Sequence, residues 1–353
     1  MSAPPTSLED IKASWLEKVL GITCPEQFTI TSPKDLIGYA SDIGLLNISG
    51  SESDFPTHFF IKVPPKEPSR RVAVINFGGF EREIMFYRHL APVLPVRSPR
   101  PYAAEIEMNT GSGILVLEDC SRMKTFRFDK VPPLTNELEQ IVRTLAKLHA
   151  FWWNQTDLLT EILPSFDSTS NWEHPKEITN RKWLESSLPK QLPDYMVKLA
   201  TRLSKKISCF RNHASYKKNT TLAHMDFHLQ NILYDPDDEE DPVVILDWDS
   251  FDIGCGAHDL AYMASLLPIE YRRLHEDLIL KVYLEQLITL GVTDYNANDL
   301  YSDYQVGCLL APSLQAILAP LMGNKSEDQK LLCELAKRQF QLVLDNQADT
   351  LIK

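Results

Sequence analysis

Three polar side chains within residues 221–252 carry the clearest chemical signal in the chain. Asp226 and Asn231 form the pattern Asp-x-x-x-x-Asn, and Asp247 directly follows an apolar run further along. In such a set one carboxylate can accept the proton of a hydroxyl group, while an amide oxygen and a second carboxylate hold magnesium on the phosphates of a nucleotide. The chemistry indicated is phosphoryl transfer, with Asp226 as the base and Asn231 and Asp247 as metal ligands.

Two short strands are predicted to position these side chains. The apolar runs at residues 232–234 and 243–246 flank Asp235-Pro236-Asp237-Asp238, which has the composition of a turn. Because a hairpin brings the ends of its strands together, we expect Asp226 and Asn231, before the first strand, to lie near Asp247, after the second.

The order of these residues resembles a protein-kinase-like catalytic loop and its metal-binding aspartate. His224-Met225-Asp226 with Asn231, and then Ile245-Leu246-Asp247-Trp248-Asp249, look like the aminoglycoside phosphotransferase and choline kinase families. The usual form there is His-Gly-Asp-x-x-x-x-Asn followed by Ile-Asp-Trp/Phe-Glu/Asp, from which Met225 departs. Glu83-Ile84-Met85-Phe86-Tyr87 and His149-Ala150-Phe151-Trp152-Trp153 are closest in style to the ecdysteroid-kinase-like group.

This resemblance implies a kinase that uses ATP and Mg²⁺ to phosphorylate a hydroxyl group of a small molecule by direct in-line transfer. It implies that Lys62, on a Phe-Phe-Ile strand, binds the nucleotide phosphates. Glu83 would pair with Lys62, with Glu81 as the competing partner. Two other residues are expected at the nucleotide: Glu118 at the hinge beside adenine, and Ser41 in the loop at residues 38–44, which departs from GxGxxG.

Several further residues are expected to support the site without taking part in the chemistry. His224 and Asp249 are interpreted as supporting the catalytic loop and the metal-binding segment. Asp259, in a Gly-Ala-His-Asp-Leu-Ala segment, is expected to begin a helix and satisfy the preceding loop. His149 lies on a helical pattern and is interpreted as core packing.

The pattern of elements predicts an α+β fold with two lobes, and the resemblance implies that this fold is protein-kinase-like. Residues 1–119 contain strand patterns and one main helix at residues 77–90, which predicts a small antiparallel-sheet lobe that binds the nucleotide. The basic, proline-rich segment Pro64–Arg71 is predicted to be a loop. Residues 120–353 are mostly helical, and this lobe is predicted to carry the catalytic loop and the acceptor site.

Composition limits the classes of partner. The chain has 353 residues and a net charge of -12, which argues against nucleic acid. Its apolar runs are too short for a membrane helix, and its first residues lack the pattern of a signal peptide. Six cysteines occur without a CxxC pair, so reduced thiols are expected. Together these features predict a cytoplasmic protein whose partner is a small molecule, neither nucleic acid nor membrane.

The residues also allow other interpretations. The apolar strand before Asp247 and Asp249 is similar to the haloacid-dehalogenase phosphatase motif, in which Asp247 would be a nucleophile. His224, Asp226 and His228 would share one face of an extended strand and could bind a metal. A kinase-like protein that binds a nucleotide without catalysis is a third alternative.

The acceptor molecule is left open by the sequence. An ecdysteroid-like alcohol, an amino alcohol and an aminoglycoside antibiotic all agree with the resemblance. A pocket rich in aromatic residues is one hypothesis for its site. The candidates for such a pocket are Trp152, Trp153, Trp172, Trp183, Tyr301 and Tyr304.

Overall fold

The fold consists of two compact units, seen in a computed structural model. The structure describes residues 4–22, 28–32, 41–48, 55–107, 111–162, 188–206, 209–210, 218–312 and 326–352. Unit 1 comprises Met1–Lys124 and Val244–Ser250, and unit 2 comprises Thr125–Val243 and Phe251–Lys353. The division between residues 119 and 120 stays a prediction; it does not anticipate that the segment containing Asp247 belongs to unit 1.

Unit 1 is built on a five-stranded antiparallel sheet in the order β1-β2-β3-β5-β4. Its strands are β1 (Phe28–Thr31), β2 (Asp42–Ile48), β3 (His58–Val63), β4 (Pro101–Glu107) and β5 (Ser112–Glu118). Phe59 and Ile61 of β3 pack in a core with Trp15 of α1 (Ala13–Leu20). Because side chains alternate along a strand, Lys62 projects from the opposite face of the sheet.

Two helices follow β3, where the sequence predicts a loop and one helix. The loop prediction for Pro64–Arg71 is wrong, because α2 (Pro68–Phe77) begins within it. The Glu67 carboxylate caps this helix by accepting hydrogen bonds from the backbone N–H groups of Ser69 and Arg70, at 3.0 and 2.7 Å. The chain ends α2 at Gly78, which has a φ of 71°. It then forms α3 (Gly79–Met85) and a π-helical turn, Phe86–Leu90.

Unit 2 is mostly helical, which confirms the predicted α+β fold class together with the sheet of unit 1. Its helices are α4 (Thr135–Phe151), α5 (Thr156–Ile162), α6 (Asp194–Ser204), α7 (Gly256–Leu266), α8 (Ile269–Thr289), α9 (Ala297–Leu310) and α10 (Ser326–Asp345). Helix α9 approaches α7 closely at Gly307, where an added Cβ would lie 2.8 Å from the Cβ of Ala261. Among the described helices, none is long and apolar enough to cross a membrane.

Short strands lie on both sides of the candidate catalytic residues in the sequence. They are β6 (Lys124–Thr125), β7 (Thr220–Ala223), β8 (Ile232–Tyr234), β9 (Val243–Ile245) and β10 (Asp252–Cys255). Strands β7 and β10 pair antiparallel within unit 2. The turn after β8 is closed by the N–H of Asp235, which donates to the carbonyl of Pro242 at 2.7 Å. This bond lies where the sequence predicts the hairpin turn.

Candidate active site

Lys62 joins two carboxylates in unit 1. Its Nζ lies 2.7 Å from Oε1 of Glu83 and 2.7 Å from Oδ1 of Asp247. Burial by itself lowers the pKa of Lys62, but the charges of Asp247 and Glu83 outweigh it and raise this pKa well above its usual range. Lys62 is therefore a permanent cation. Glu83, rather than Glu81, is the glutamate that contacts it.

The segment around Asp247 is held in unit 1 by contacts on both sides. Before it, the N–H of Ile245 donates to the carbonyl of Arg97 at 3.0 Å. After it, the ring of Trp248 stacks on Phe86, with centroids 4.1 Å apart. Asp247 itself has a φ of 60°, a left-handed conformation that is strained for a residue other than glycine. These contacts hold its carboxylate beside Lys62 despite the strain.

Asp226 and Asn231 meet in unit 2. Nδ2 of Asn231 donates to the backbone carbonyl of Asp226 at 3.0 Å and to its Oδ2 at 3.1 Å. Because the amide nitrogen points at Asp226, the amide oxygen of Asn231 is directed elsewhere and is the atom suited to a cation. Nε2 of His228 lies 3.5 Å from Oδ2 of Asp226. The expected proximity of Asp226 to Asp247 stays a prediction.

Tyr262 of α7 also contacts Asp226, a contact that the sequence analysis missed. Its hydroxyl is hydrogen-bonded to the Asp226 carboxylate, and the residue is buried. Burial, followed by the charge of Asp226, raises the pKa of Tyr262 well above its usual range, so the hydroxyl stays protonated. The feature of the sequence that could have predicted this contact is the position of Tyr262 three residues after Asp259, about one helical turn along α7.

The Asp259 carboxylate supports the candidate catalytic loop by accepting hydrogen bonds from backbone N–H groups of that loop. Its Oδ2 accepts a hydrogen bond from the N–H of His224 at 2.6 Å, and its Oδ1 accepts one from the N–H of Met225 at 2.8 Å. His149 Nε2 lies 3.2 Å from the same Oδ2, and His149 Nδ1 lies 2.8 Å from the hydroxyl of Tyr283. Asp259 and His149 are both completely buried. His149 thus belongs to a polar network as well as to the core.

We expect Asp259→Asn to lower the free energy of unfolding by about 3 kcal/mol or more, because it breaks a buried charged network. Burial by itself raises the pKa of Asp259, but the hydrogen bond with His149 and the nearby histidine charges lower it below 3.8. The carboxylate therefore stabilises the fold fully above its unfolded pKa, and this contribution is lost as the pH falls through the lower, folded pKa.

Urea unfolding at a series of pH values measures this effect. The advantage of the wild type over Asp259→Asn should be constant near neutral pH and should shrink below about pH 4. Asp294→Asn, at an exposed position, is the matched control and should change stability by less than about 0.5 kcal/mol. An Asp259→Asn protein as stable as this control would contradict the supporting role.

Met225 occupies a backbone conformation that explains the glycine usual in the resembling families. Its φ is 67°, in the left-handed region that glycine adopts without strain. We expect Met225→Val to destabilise the protein by about 1–2 kcal/mol, because a β-branched residue is poorly tolerated there. Met225→Gly should be clearly more stable than Met225→Val. Thermal unfolding of the two variants tests this order, and equal stability would contradict it.

Ser41 and Glu118 are the two other residues that were predicted to contact the nucleotide. Ser41 is buried directly before β2, and its carbonyl accepts a hydrogen bond from Arg70 Nη2 at 3.4 Å. Residues 38–40 of the predicted phosphate loop lie outside the described residues. Glu118 ends β5, and both its N–H and its carboxylate bond to the backbone of Arg100, at 2.9 and 3.1 Å. Their roles at a nucleotide stay predictions.

The structure does not support the alternative metal site. The left-handed φ of Met225 breaks the extended conformation that would place His224, Asp226 and His228 on one face. In the part of the chain that is described, no group of three or more His, Cys, Asp or Glu side chains is arranged to hold a metal ion.

The structure gives little support to an acceptor pocket lined by the candidate aromatic residues. Trp152 and Tyr304 are completely buried core residues, and Tyr304 donates to Glu276 at 2.8 Å. Tyr301 is partly exposed. Trp172 and Trp183 lie outside the described residues.

Comparison with known proteins identifies related sequences and folds. Residues 37–293 match the ecdysteroid kinase-like family. No curated protein matches the sequence.

Solved structures of small-molecule kinases are similar to the chain over most of their length. A microcompartment-associated aminopropanol kinase has a TM-score of 0.60 at 12% identity, covering 94% of this chain and 97% of the other. The GDP complex of aminoglycoside 2'-phosphotransferase-IIIa has a TM-score of 0.56 at 15% identity, covering 93% and 97%. Choline kinase from Cryptosporidium parvum Iowa II has a TM-score of 0.53 at 11% identity, covering 92% and 90%. At these identities the likeness shows a shared protein-kinase-like fold, which the phosphatase alternative does not explain.

Proposed function

The chain belongs to the ecdysteroid kinase-like family, and on that premise we propose that it transfers the terminal phosphoryl group of ATP to a hydroxyl group of a small molecule. The observation that carries the proposal is the contact of Lys62 with both Glu83 and Asp247, each at 2.7 Å. A buried cation paired with a helix glutamate is the arrangement that phosphoryl-transfer enzymes of this fold use at nucleotide phosphates.

The donor groups of the chain suit a magnesium–nucleotide complex. Magnesium prefers oxygen ligands, and the Asp247 carboxylate and the Asn231 amide oxygen supply them. When bound, Mg²⁺ would neutralise negative charge on the phosphates. Lys62 would add a positive charge to the same phosphates, held in place by Glu83. The Asp247 carboxylate is accessible to an incoming metal ion, because 40% of its side chain is exposed. The side chain of Lys62, in contrast, is largely buried.

Asp226 is proposed as the general base. The acceptor's hydroxyl proton would pass to the Asp226 carboxylate as the acceptor oxygen forms a bond to the terminal phosphorus. The bond from that phosphorus to the bridging oxygen would break, and ADP would leave with the electron pair. Asn231 and Tyr262 hydrogen-bond to the carboxylate and orient it. Direct transfer of this kind needs no covalent enzyme intermediate.

The class of acceptor is a hydroxylated small molecule. The three similar structures are named for aminopropanol, an aminoglycoside and choline, so their common fold accommodates chemically different molecules. The family name adds an ecdysteroid-like alcohol as a candidate. A cytoplasmic location is part of the proposal: it would supply ATP, and it agrees with the five free cysteines among the described residues.

An untargeted metabolite screen tests the proposed function. The purified protein is incubated with ATP, Mg²⁺ and a small-molecule extract, and products are sought that gain the mass of one phosphate. We expect at least one hydroxylated metabolite to gain that mass, and a matched reaction with Asp226→Asn to yield far less of the same product in the same time. Binding of Mg·ATP without turnover of any extract or alcohol panel would instead support the inactive, nucleotide-binding alternative.

A further inference from the structure

Tyr87 carries a buried hydroxyl next to the proposed nucleotide site. The residue is 2% exposed, and within the described part of the chain its hydroxyl has no hydrogen-bond partner. Burying an unsatisfied hydroxyl costs free energy, and phenylalanine would avoid that cost with the same ring. We therefore expect the Tyr87 hydroxyl to gain a hydrogen-bond partner when a ligand binds beside it.

The position of Tyr87 relates it to Glu83. It follows Glu83 by four residues, about one helical turn, which places the two side chains on the same face of the helix. Its ring packs edge-on against Phe86, with centroids 5.1 Å apart, and Phe86 in turn stacks on Trp248. Burial, followed by the charge of Glu83, raises the pKa of Tyr87 well above its usual range. The hydroxyl is therefore a lasting hydrogen-bond donor close to a buried carboxylate.

Glu83 is paired with Lys62. The Glu83 side chain is almost completely buried, and its Oε1 contacts the ammonium group of Lys62 at 2.7 Å. An ammonium group has three N–H donors. Under the proposed function Asp247 turns to the metal and the nucleotide phosphates take its place beside the ammonium group, where they compete with Glu83 for its donors. A buried carboxylate that loses a donor is destabilised unless another donor replaces it.

We propose that Tyr87 is a positioning residue whose hydroxyl donates to the Glu83 carboxylate when Lys62 engages the nucleotide. This inference rests on the proposed function. Among the described residues no partner lies within hydrogen-bond reach of this hydroxyl, so the bond forms only when the Glu83 carboxylate, partly released by Lys62, turns towards Tyr87. By keeping Glu83 satisfied, Tyr87 holds Glu83 as the anchor of Lys62 in the nucleotide-bound state.

Tyr87→Phe tests this role because it removes the hydroxyl and retains the ring. Calorimetric titration with Mg²⁺ and the non-hydrolysable analogue AMP-PNP should show an affinity about three- to tenfold lower than that of the wild type. The melting temperature without nucleotide should be unchanged or higher, because an unsatisfied hydroxyl has been removed. A purely structural role would lower the melting temperature instead.

Tyr102→Phe is the matched control. The ring of Tyr102 packs edge-on against Phe59 at 4.9 Å, on the face of the sheet opposite Lys62. The same loss of a hydroxyl there should leave AMP-PNP affinity unchanged. In a Glu83→Gln background, Tyr87→Phe should have a smaller effect than in the wild type, since the two residues act together.

The possible results separate this inference from the proposed function. If the wild type does not bind Mg·AMP-PNP, the proposed function fails and the role of Tyr87 fails with it. If the wild type binds and Tyr87→Phe binds equally well, the role of Tyr87 is overturned and the proposed function stands. A loss of affinity accompanied by an equal loss in the Tyr102→Phe control would also overturn it.

Discussion

Replacing Asp226 by asparagine is expected to lower kcat by about 10²–10⁴-fold, with little change in nucleotide affinity. Asparagine has the same shape as aspartate and can still accept the hydrogen bond that Asn231 donates at 3.1 Å. Its amide cannot take up the hydroxyl proton of the acceptor. The measurement is steady-state transfer of phosphate to the acceptor found in the metabolite screen, combined with calorimetric binding of Mg·AMP-PNP.

Asp237→Asn is the matched control for this experiment. Asp237 lies exposed in the turn after β8, and the substitution makes the same chemical change there. This variant should retain the wild-type kcat. Undiminished phosphate transfer in Asp226→Asn would show that Asp226 is not the base. A loss of nucleotide binding in that variant would point to a folding defect, which its unfolding curve would reveal.

Replacing Asp247 by asparagine is expected to weaken the magnesium-dependent part of nucleotide binding by about 100-fold or more. The substitution removes the negative charge that the metal requires. It also removes one of the two carboxylates that contact Lys62 at 2.7 Å, so the ammonium group is more available to phosphates. Binding of AMP-PNP without metal should therefore be retained or strengthened while the gain from Mg²⁺ is lost.

Calorimetric titrations with Mg²⁺ and with EDTA measure this effect. In EDTA the wild type should bind AMP-PNP no more tightly than Asp247→Asn, because both then lack the metal contribution. Addition of Mg²⁺ should strengthen binding to the wild type and leave Asp247→Asn nearly unchanged. An equal response of both proteins to Mg²⁺ would exclude Asp247 as a metal ligand.

Local patterns in the sequence were enough to predict the fold class, and they indicated the chemistry that we propose. Asp226 and Asn231 lie in one short loop, and the conformation of so short a segment depends mainly on its own residues. The aromatic and β-branched residues of β3 likewise predicted a strand carrying Lys62. The loop predicted at Pro64–Arg71 was wrong, because it rested on prolines as evidence against a helix. Pro68 lies in the first turn of α2, a position that tolerates proline.

Contacts between distant side chains could not be predicted from local patterns. Lys62 and Asp247 are separated by 185 positions in the chain, and Asp259 contacts the N–H of His224 across 35. Periodicity left Glu81 and Glu83 as competing partners of Lys62, because both lie in the first turns of α3. The choice of Glu83 depends on how that helix packs on the sheet. The spacing of residues in the sequence reflects the conformation of one segment. Contacts between segments depend instead on the packing of the whole core.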